Sequence, residues 1–293
     1  MSTEPVKRAV VLGGGGLAGI GWGCGYLAAL EAAAIPVGDA ELVVGTSAGS
    51  VVGAWLTGRR SMAHRYRFVE SSDHALRRAL GALFGAVSGK PDRTGEEALE
   101  LLRASERPAL ESLERLGALA LESATMPEPV FVGFVTTLVG RRAWQTEALR
   151  VTVHDTATGE RAVLGPRQSV GLGRACAASS AVPGFYPPVS VRGRRFMDGG
   201  CGSATNADLV AGAERALVLA LLPRPDAVPA PAMADELDAL ERAGTQLHAA
   251  WPDAAAVEAT DGRPLDPQVA PAVAQAGYEQ GVRDAAAVAA LWE

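Results

Sequence analysis

The residue type best placed to do chemistry is Ser47, in Gly45-Thr46-Ser47-Ala48-Gly49. Leu42-Val43-Val44 before it reads as a short buried strand, and Ser50 to Leu56 after it as the start of a helix. A serine with glycines two places to either side, between strand and helix, is the nucleophile-elbow pattern. The turn is so tight that side chains at Gly45 and Gly49 would strike neighbouring backbone, and the serine itself takes a strained φ/ψ. That strain lifts a hydroxyl out of the sheet at a helix N-terminus, where developing negative charge is favoured. The bland alternative is a strand-to-helix junction with a small-residue cap. A second group is Asp198, in Met197-Asp198-Gly199-Gly200. A carboxyl at a strand end followed by two glycines can project into a cleft, although Asp-Gly is also the ordinary signal of a turn.

A third segment supplies backbone donors. Gly13 to Gly16 continue as Leu17-Ala18-Gly19, so that Gly14 to Gly19 spell G-x-G-x-x-G after the apolar run Ala9-Val10-Val11-Leu12. Taken alone this suggests a dinucleotide site. The ribose of a dinucleotide needs an acid at the end of the second strand; Gly45-Thr46-Ser47 stands there instead, and no P-loop lysine follows the glycines. An oxyanion hole is the better account. Consecutive glycines let several N–H groups face one small space, and each such donor is worth roughly 2.7–4 kcal/mol of barrier. A fourth segment, Ala178 to Pro188, carries three prolines and reads as a rigid, partly apolar wall.

Taken in chain order, the four segments resemble the patatin-like phospholipase family, in its bacterial branch. The resemblance is good over residues 9–58 and 175–222 and poor over 60–125. It rests on the loop Gly13–Gly19, the elbow Gly45–Gly49, the Ala-Ser-x-Ala-x-Pro segment from Ala178 to Pro183, and Asp198-Gly199-Gly200. It implies a Ser–Asp dyad, with Ser47 as nucleophile, Asp198 as general base and the N–H groups of Gly14, Gly15 and Gly16 as oxyanion hole. It also implies a lipid or other ester as substrate and no cofactor or metal. The family usually places a basic residue just before the last glycine of its loop; Ala18 stands there, which puts the headgroup preference in doubt.

The elements needed to position these groups follow from the pattern. Strand, helix, strand, helix over residues 9–57 is the rhythm of an α/β fold with a central, mostly parallel sheet flanked by helices. One domain is expected over residues 1–293. Within it, 60–125 reads as a helical insertion or cap, with helices at 64–84, after a Thr94/Glu97 capping box, and from Pro108 with leucines at 110, 113, 116 and 119. Strands are expected at 130–135, at 149–153, at 162–164, in a hairpin over 189–197 and at 216–222. Helices are expected from Asn206 to Gly212, over 233–247, and over 267–292 behind an Asp266 cap.

Composition narrows the function classes. The chain has 293 residues, 48% hydrophobic and 20% charged, with a net charge of −6. Its scattered arginine pairs and acidic balance argue against a nucleic-acid partner. Cys24, Cys176 and Cys201 show no metal spacing and imply a reducing compartment. The uncharged stretch between Arg8 and Glu31 holds too many glycines for a membrane span or signal peptide, so a cytoplasmic protein with at most peripheral membrane contact is expected. Two other readings compete. An α/β-hydrolase triad would take its histidine after Asp198, where His248 is the one available. A nucleotide-binding regulator would use the glycine loop for phosphate.

Overall fold

The computed structural model describes residues 6–71, 91–140, 143–224 and 231–293. Its centre is a sheet of strand order β5-β6-β3-β2-β1-β7-β8, with β4 also paired to β3. The strands are β1 (Arg8–Leu12), β2 (Leu42–Gly45), β3 (Leu149–Asp155), β4 (Arg161–Leu164), β5 (Val189–Val191), β6 (Arg194–Asp198), β7 (Arg215–Leu219) and β8 (Gln246–Ala250). β3, β2, β1, β7 and β8 run parallel, while β4 and β6 are antiparallel to β3 and β5 antiparallel to β6. The expected α/β fold with a central, mostly parallel sheet flanked by helices is the fold found. The parallel strands are apolar along both faces because helices cover both. On one face Val10, Leu12, Val43, Val151 and Leu219 pack under α1 (Gly16–Ala32), α2 (Ala48–Leu56) and the long C-terminal α10 (Ala270–Trp292). On the other, Ala9, Val11, Val44 and Val218 meet α8 (Pro231–Arg242) through Met233 and Leu240.

Two features of the topology locate the site. β1 has β2 on one side and β7 on the other. The loop leaving β1 therefore opens a crevice at the carboxyl ends of the strands, where open α/β sheets bind ligands. The second feature lies on β3. Val151 pairs with both Gly45 and Leu164, and Val153 with both Ala162 and Asp198. With β4 on one edge, Gly45 and Asp198 must share the other. β2 and the antiparallel β6 thus run toward each other along one edge of β3, and their C-terminal ends meet two residues apart, roughly 7 Å at strand rise.

Several expected elements take a different form. Residues 130–135, expected as a strand, lie in α6 (Glu128–Val139), which buries Phe131, Val135 and Val139 at helical spacing. Pro129 in its first turn and left-handed Gly140 at its end mark a helix, and tertiary packing overrides the β-branched run. Asn206 caps no α-helix; it is left-handed and begins a single 3-10 turn, Ala207–Val210. The helix expected over 233–247 ends at Arg242, and β8 follows. α10 starts at Ala270, with Asp266 accepting from the Gln268 N–H in the turn before it. Between residues 60 and 125 the described chain has α3 (Met62–Ser71), α4 (Arg93–Arg103) and α5 (Leu110–Glu122). Residues 72–84 of the first expected helix lie outside the described residues. α4 is capped by Asp92, which accepts from the Gly95 N–H, and not by Thr94. Leu113, Leu116 and Leu119 bury against Met197 and Cys201, on either side of the Asp198 turn.

Candidate active site

Ser47 sits at the junction of β2 and α2 with φ 51° and ψ −118°, a backbone that L-residues rarely adopt. Such a conformation costs about 1–3 kcal/mol and persists only when its surroundings over-determine it. Here they do. A Cβ on Gly49 would lie within the backbone of Leu12, and one on Gly45 would stand 2.7 Å from Ser50 Cα. The Ser47 N–H donates to Ser179 Oγ at 2.8 Å, and its carbonyl accepts from the Ser50 hydroxyl at 2.6 Å. Ser179 lies in the Ala178–Pro183 segment, which sequence reading took only for a wall. It is fully buried at the end of α7 (Leu172–Ser179) and holds the elbow from behind. Ser179→Ala is expected to lower unfolding free energy by about 1–3 kcal/mol, since the Ser47 N–H loses its partner; urea titration measures it.

Asp198 ends β6 and is almost fully buried. Its Oδ1 accepts from the Gly200 N–H at 2.7 Å, while Oδ2 is buried with no hydrogen-bond partner among the described residues. Burial pushes its pKa up to about 7, against the smaller opposing pulls of the Gly200 N–H and the Ser47 hydroxyl. The hydroxyl is thus near enough to favour the ionised carboxyl without a well-aligned hydrogen bond to Oδ2, as is common before substrate binds. A buried network fixes the turn that follows Asp198. Asn206 Nδ2 donates to the Gly199 carbonyl at 3.1 Å, to the Ser203 carbonyl at 2.8 Å and to Thr46 Oγ1 at 3.1 Å, and Thr46 Oγ1 pairs with Thr152 Oγ1 at 2.9 Å. The elbow and the aspartate turn are therefore one hydrogen-bonded unit.

The glycine loop completes the site. A methyl group on Gly14 would lie 3.6 Å from Ser47 Cβ, which sets the loop directly beside the serine. The Gly14 N–H is engaged by the Ala204 carbonyl at 2.8 Å. Those of Gly15 and Gly16 bond to nothing among the described residues, so the free donors are fewer than the three expected. Gly15 and Gly19 press against the Leu221 carbonyl, and Gly199 against Thr152. Gly14, Gly15, Gly16, Ser47, Asp198 and Gly200 all line one cavity of about 490 Å³. Much of its wall is apolar: Ile20, Val51, Phe131, Phe134, Val135 and Leu138. A hydroxyl, a carboxylate of high proton affinity, free N–H donors and an apolar chamber together can carry acyl transfer from a fatty ester.

The sequence profile of the patatin-like phospholipase family matches residues 10–211. The chain belongs to the patatin-like phospholipase family. The chemistry of that family is hydrolysis of lipid esters, and the match runs from β1 past the aspartate turn and the Asn206 network. This patatin-like chain is also similar to two solved structures. VipD from Legionella pneumophila is 14% identical, with 98% of this chain and 68% of that chain covered and a TM-score of 0.39. The type III effector protein ExoU is 18% identical, with 98% and 54% covered and a TM-score of 0.45, so this chain spans about half its length. No similar sequence was found among curated proteins.

The described histidines do not line this cavity. His248 is on β8, 3.3 Å from the Tyr26 hydroxyl and 3.9 Å from Asp284, and does not line the cavity. His154 is buried on β3 with Nδ1 against the Gly159 carbonyl at 2.8 Å, and burial lowers its pKa. Cys24, Cys176 and Cys201 are free and buried. Among the described residues no helix is long and apolar enough to cross a membrane.

Proposed function

We propose that this patatin-like protein is a serine acyl hydrolase that cleaves carboxylic esters of lipids through a Ser47–Asp198 dyad. One observation carries the reading: a strained serine stands beside a buried carboxyl whose Oδ2 has no hydrogen-bond partner among the described residues and whose pKa is raised to about 7. An aspartate near its ordinary pKa of about 3.9 is a feeble base toward a hydroxyl. Desolvation makes Asp198 a stronger one.

The cycle follows from the geometry. The acyl chain enters the apolar chamber and the ester carbonyl lies over Ser47. Asp198 takes the hydroxyl proton as Ser47 Oγ bonds to the carbonyl carbon. The charge that moves to the carbonyl oxygen is met by the N–H groups of Gly15 and Gly16, at the first turn of α1. Gly14 shapes the hole while its own amide stays with Ala204. The intermediate collapses, Asp198 returns the proton to the alcohol, and the alcohol leaves. Water then attacks the acyl-serine with Asp198 again as base. Residues 60–125 act as a cap in this reading, since Leu102, Arg103, Ser105 and Glu106 form part of the cavity wall.

Labelling with a fluorophosphonate tests the dyad. The expected result is a covalent adduct on Ser47, formed at a rate that rises about tenfold per pH unit and levels off above about pH 7. The sign follows from Asp198, which accepts a proton only when ionised. An unlabelled Ser47, or a labelling rate indifferent to pH between 5 and 8, would remove Asp198 as base. Chain length is set by α6: Leu138→Trp is expected to cut hydrolysis of a ten-carbon nitrophenyl ester at least tenfold relative to a four-carbon one, measured as kcat/KM. Overpacking of this kind is worth about 1–3 kcal/mol.

A further inference from the structure

Glu236 stands on α8, beyond the stretch that the family profile matches, and forms part of the cavity wall. An acid in the wall of an apolar chamber needs donors around it. All of its donors come from residues 203–207. Oε1 accepts from the Ser203 hydroxyl at 2.6 Å, and Oε2 from the Thr205 hydroxyl and, at 3.3 Å, from the Ala207 N–H. Hydrogen bonds to a carboxylate are about twice as strong as those between neutral groups. The Ser203 proton goes to Glu236, which leaves the lone pairs of that oxygen for the N–H groups of Thr205 and Asn206, at 3.3 and 2.8 Å. One carboxylate thus fixes a stretch, residues 202–206, that belongs to no helix or strand. Asn206 within it is held at φ 55°, in the left-handed region.

That stretch touches both halves of the site. The Ala204 carbonyl accepts the Gly14 N–H at 2.8 Å, and it stands so close that a Cβ on Gly13 would lie 2.9 Å from it. Two residues on, Asn206 Nδ2 binds the Gly199 carbonyl beside Asp198 and Thr46 Oγ1 beside Ser47. The glycine loop and the aspartate turn are therefore tied to one another through residues 204–206, and those residues are tied to α8 by Glu236. We infer that Glu236 is a positioning residue: by clamping residues 203–207 it sets the glycine amides and the Asp198 turn at the spacing at which Ser47 reacts. The inference rests on the dyad reading of the cavity and deepens it. Glu236 is not a second base, since both of its oxygens are engaged, whereas Asp198 Oδ2 has no hydrogen-bond partner among the described residues. It acts through what it holds.

The test is Glu236→Gln, which keeps the size of the side chain and turns one acceptor into a donor. Hydrolysis of 4-nitrophenyl octanoate is measured per active site, counted by fluorophosphonate, so that unfolded protein does not enter the rate. kcat should fall about tenfold or more with KM within about twofold, because the acyl chamber is untouched and a misplacement of about 1 Å costs on the order of 10²-fold. Glu236→Asp, one methylene short, should fall less, and it carries the same readouts if the amide does not fold. In a Ser203→Ala/Thr205→Val background, where both hydroxyls are already gone, Glu236→Gln should cost less than about threefold, since the two changes break one link. A kcat within about twofold of the parent, or a full tenfold cost in that background, would overturn the inference. A second readout needs no turnover. Amide hydrogen exchange followed by mass spectrometry should quicken about tenfold in Glu236→Gln over residues 13–16 and 199–207 and stay unchanged in β7 and α10. Exchange that quickens there upholds the clamp even if the parent cleaves no ester, in which case the hydrolase reading alone falls. Exchange that is unchanged, or faster throughout the chain, removes the clamp and leaves the hydrolase reading where ester cleavage puts it.

Discussion

Asp198→Asn should abolish hydrolysis and, above neutral pH, yield a protein more stable than its parent. Loss of the proposed base is expected to remove a catalytic factor on the order of 10²–10⁴. The stability gain has a separate cause. The Asp198 pKa is raised from 3.8 to about 7 in the folded state. The fold therefore holds a proton that the unfolded chain has already released, and its contribution fades as pH climbs from about 4 to about 7. A shift of that size amounts to roughly 4 kcal/mol, fully lost above pH 7. Asparagine keeps an acceptor for the Gly200 N–H and carries no charge. It also buries an amide group where Oδ2 had no hydrogen-bond partner among the described residues, at a cost of about 1–3 kcal/mol. The net advantage at pH 8.5 is therefore about 1–3 kcal/mol, shrinking and then reversing toward pH 4. Urea unfolding at pH 4.5, 6.5 and 8.5 measures it. A parent whose stability is flat across that range would mean that Asp198 titrates as an ordinary exposed carboxylate, and the proposed base would lose its basis.

The elbow was legible in five residues because its cause is local. Gly45 and Gly49 are demanded by backbone contacts within the same strand-turn-helix unit, so the pattern carries the geometry with it. The meeting of Ser47 with Asp198 is not local. It depends on two strands converging along one edge of β3, and only the resemblance to a family pointed to it; the pairing of Val151 and Val153 supplies the reason. The Gly14 amide illustrates a limit of the same kind, since no feature of the sequence says that the Ala204 carbonyl will take it. Ser179 went unnoticed because a buried serine among alanines looks like any small residue, and the Asn206 network because asparagine before a turn looks like a cap. Residues 130–135 read as a strand from their valines and phenylalanines, although Pro127, Pro129 and Gly140 were helix punctuation in plain view. β8 escaped because Gln246 to Ala250 is only weakly apolar and sits at the edge of the sheet beside β7.

At Ser47 itself, replacement by glycine and by alanine should separate chemistry from strain. Both remove the hydroxyl, and loss of a catalytic serine lowers kcat by a factor on the order of 10⁴–10⁶. Their stabilities should differ. Alanine keeps a Cβ at φ 51°, ψ −118°, whereas glycine enters such a region without steric penalty. Relief of about 1–3 kcal/mol of strain is offset by about 0.5–1 kcal/mol of extra chain entropy in the unfolded state. The glycine variant should therefore unfold later than the alanine variant by about 1–2 kcal/mol, or about 2–8 °C in Tm for a chain of this size. The usual order of the two residues is the reverse. An alanine variant as stable as the glycine one would mean that the elbow is relaxed, and that the Ser179 contact, not backbone strain, presents the hydroxyl to the cavity.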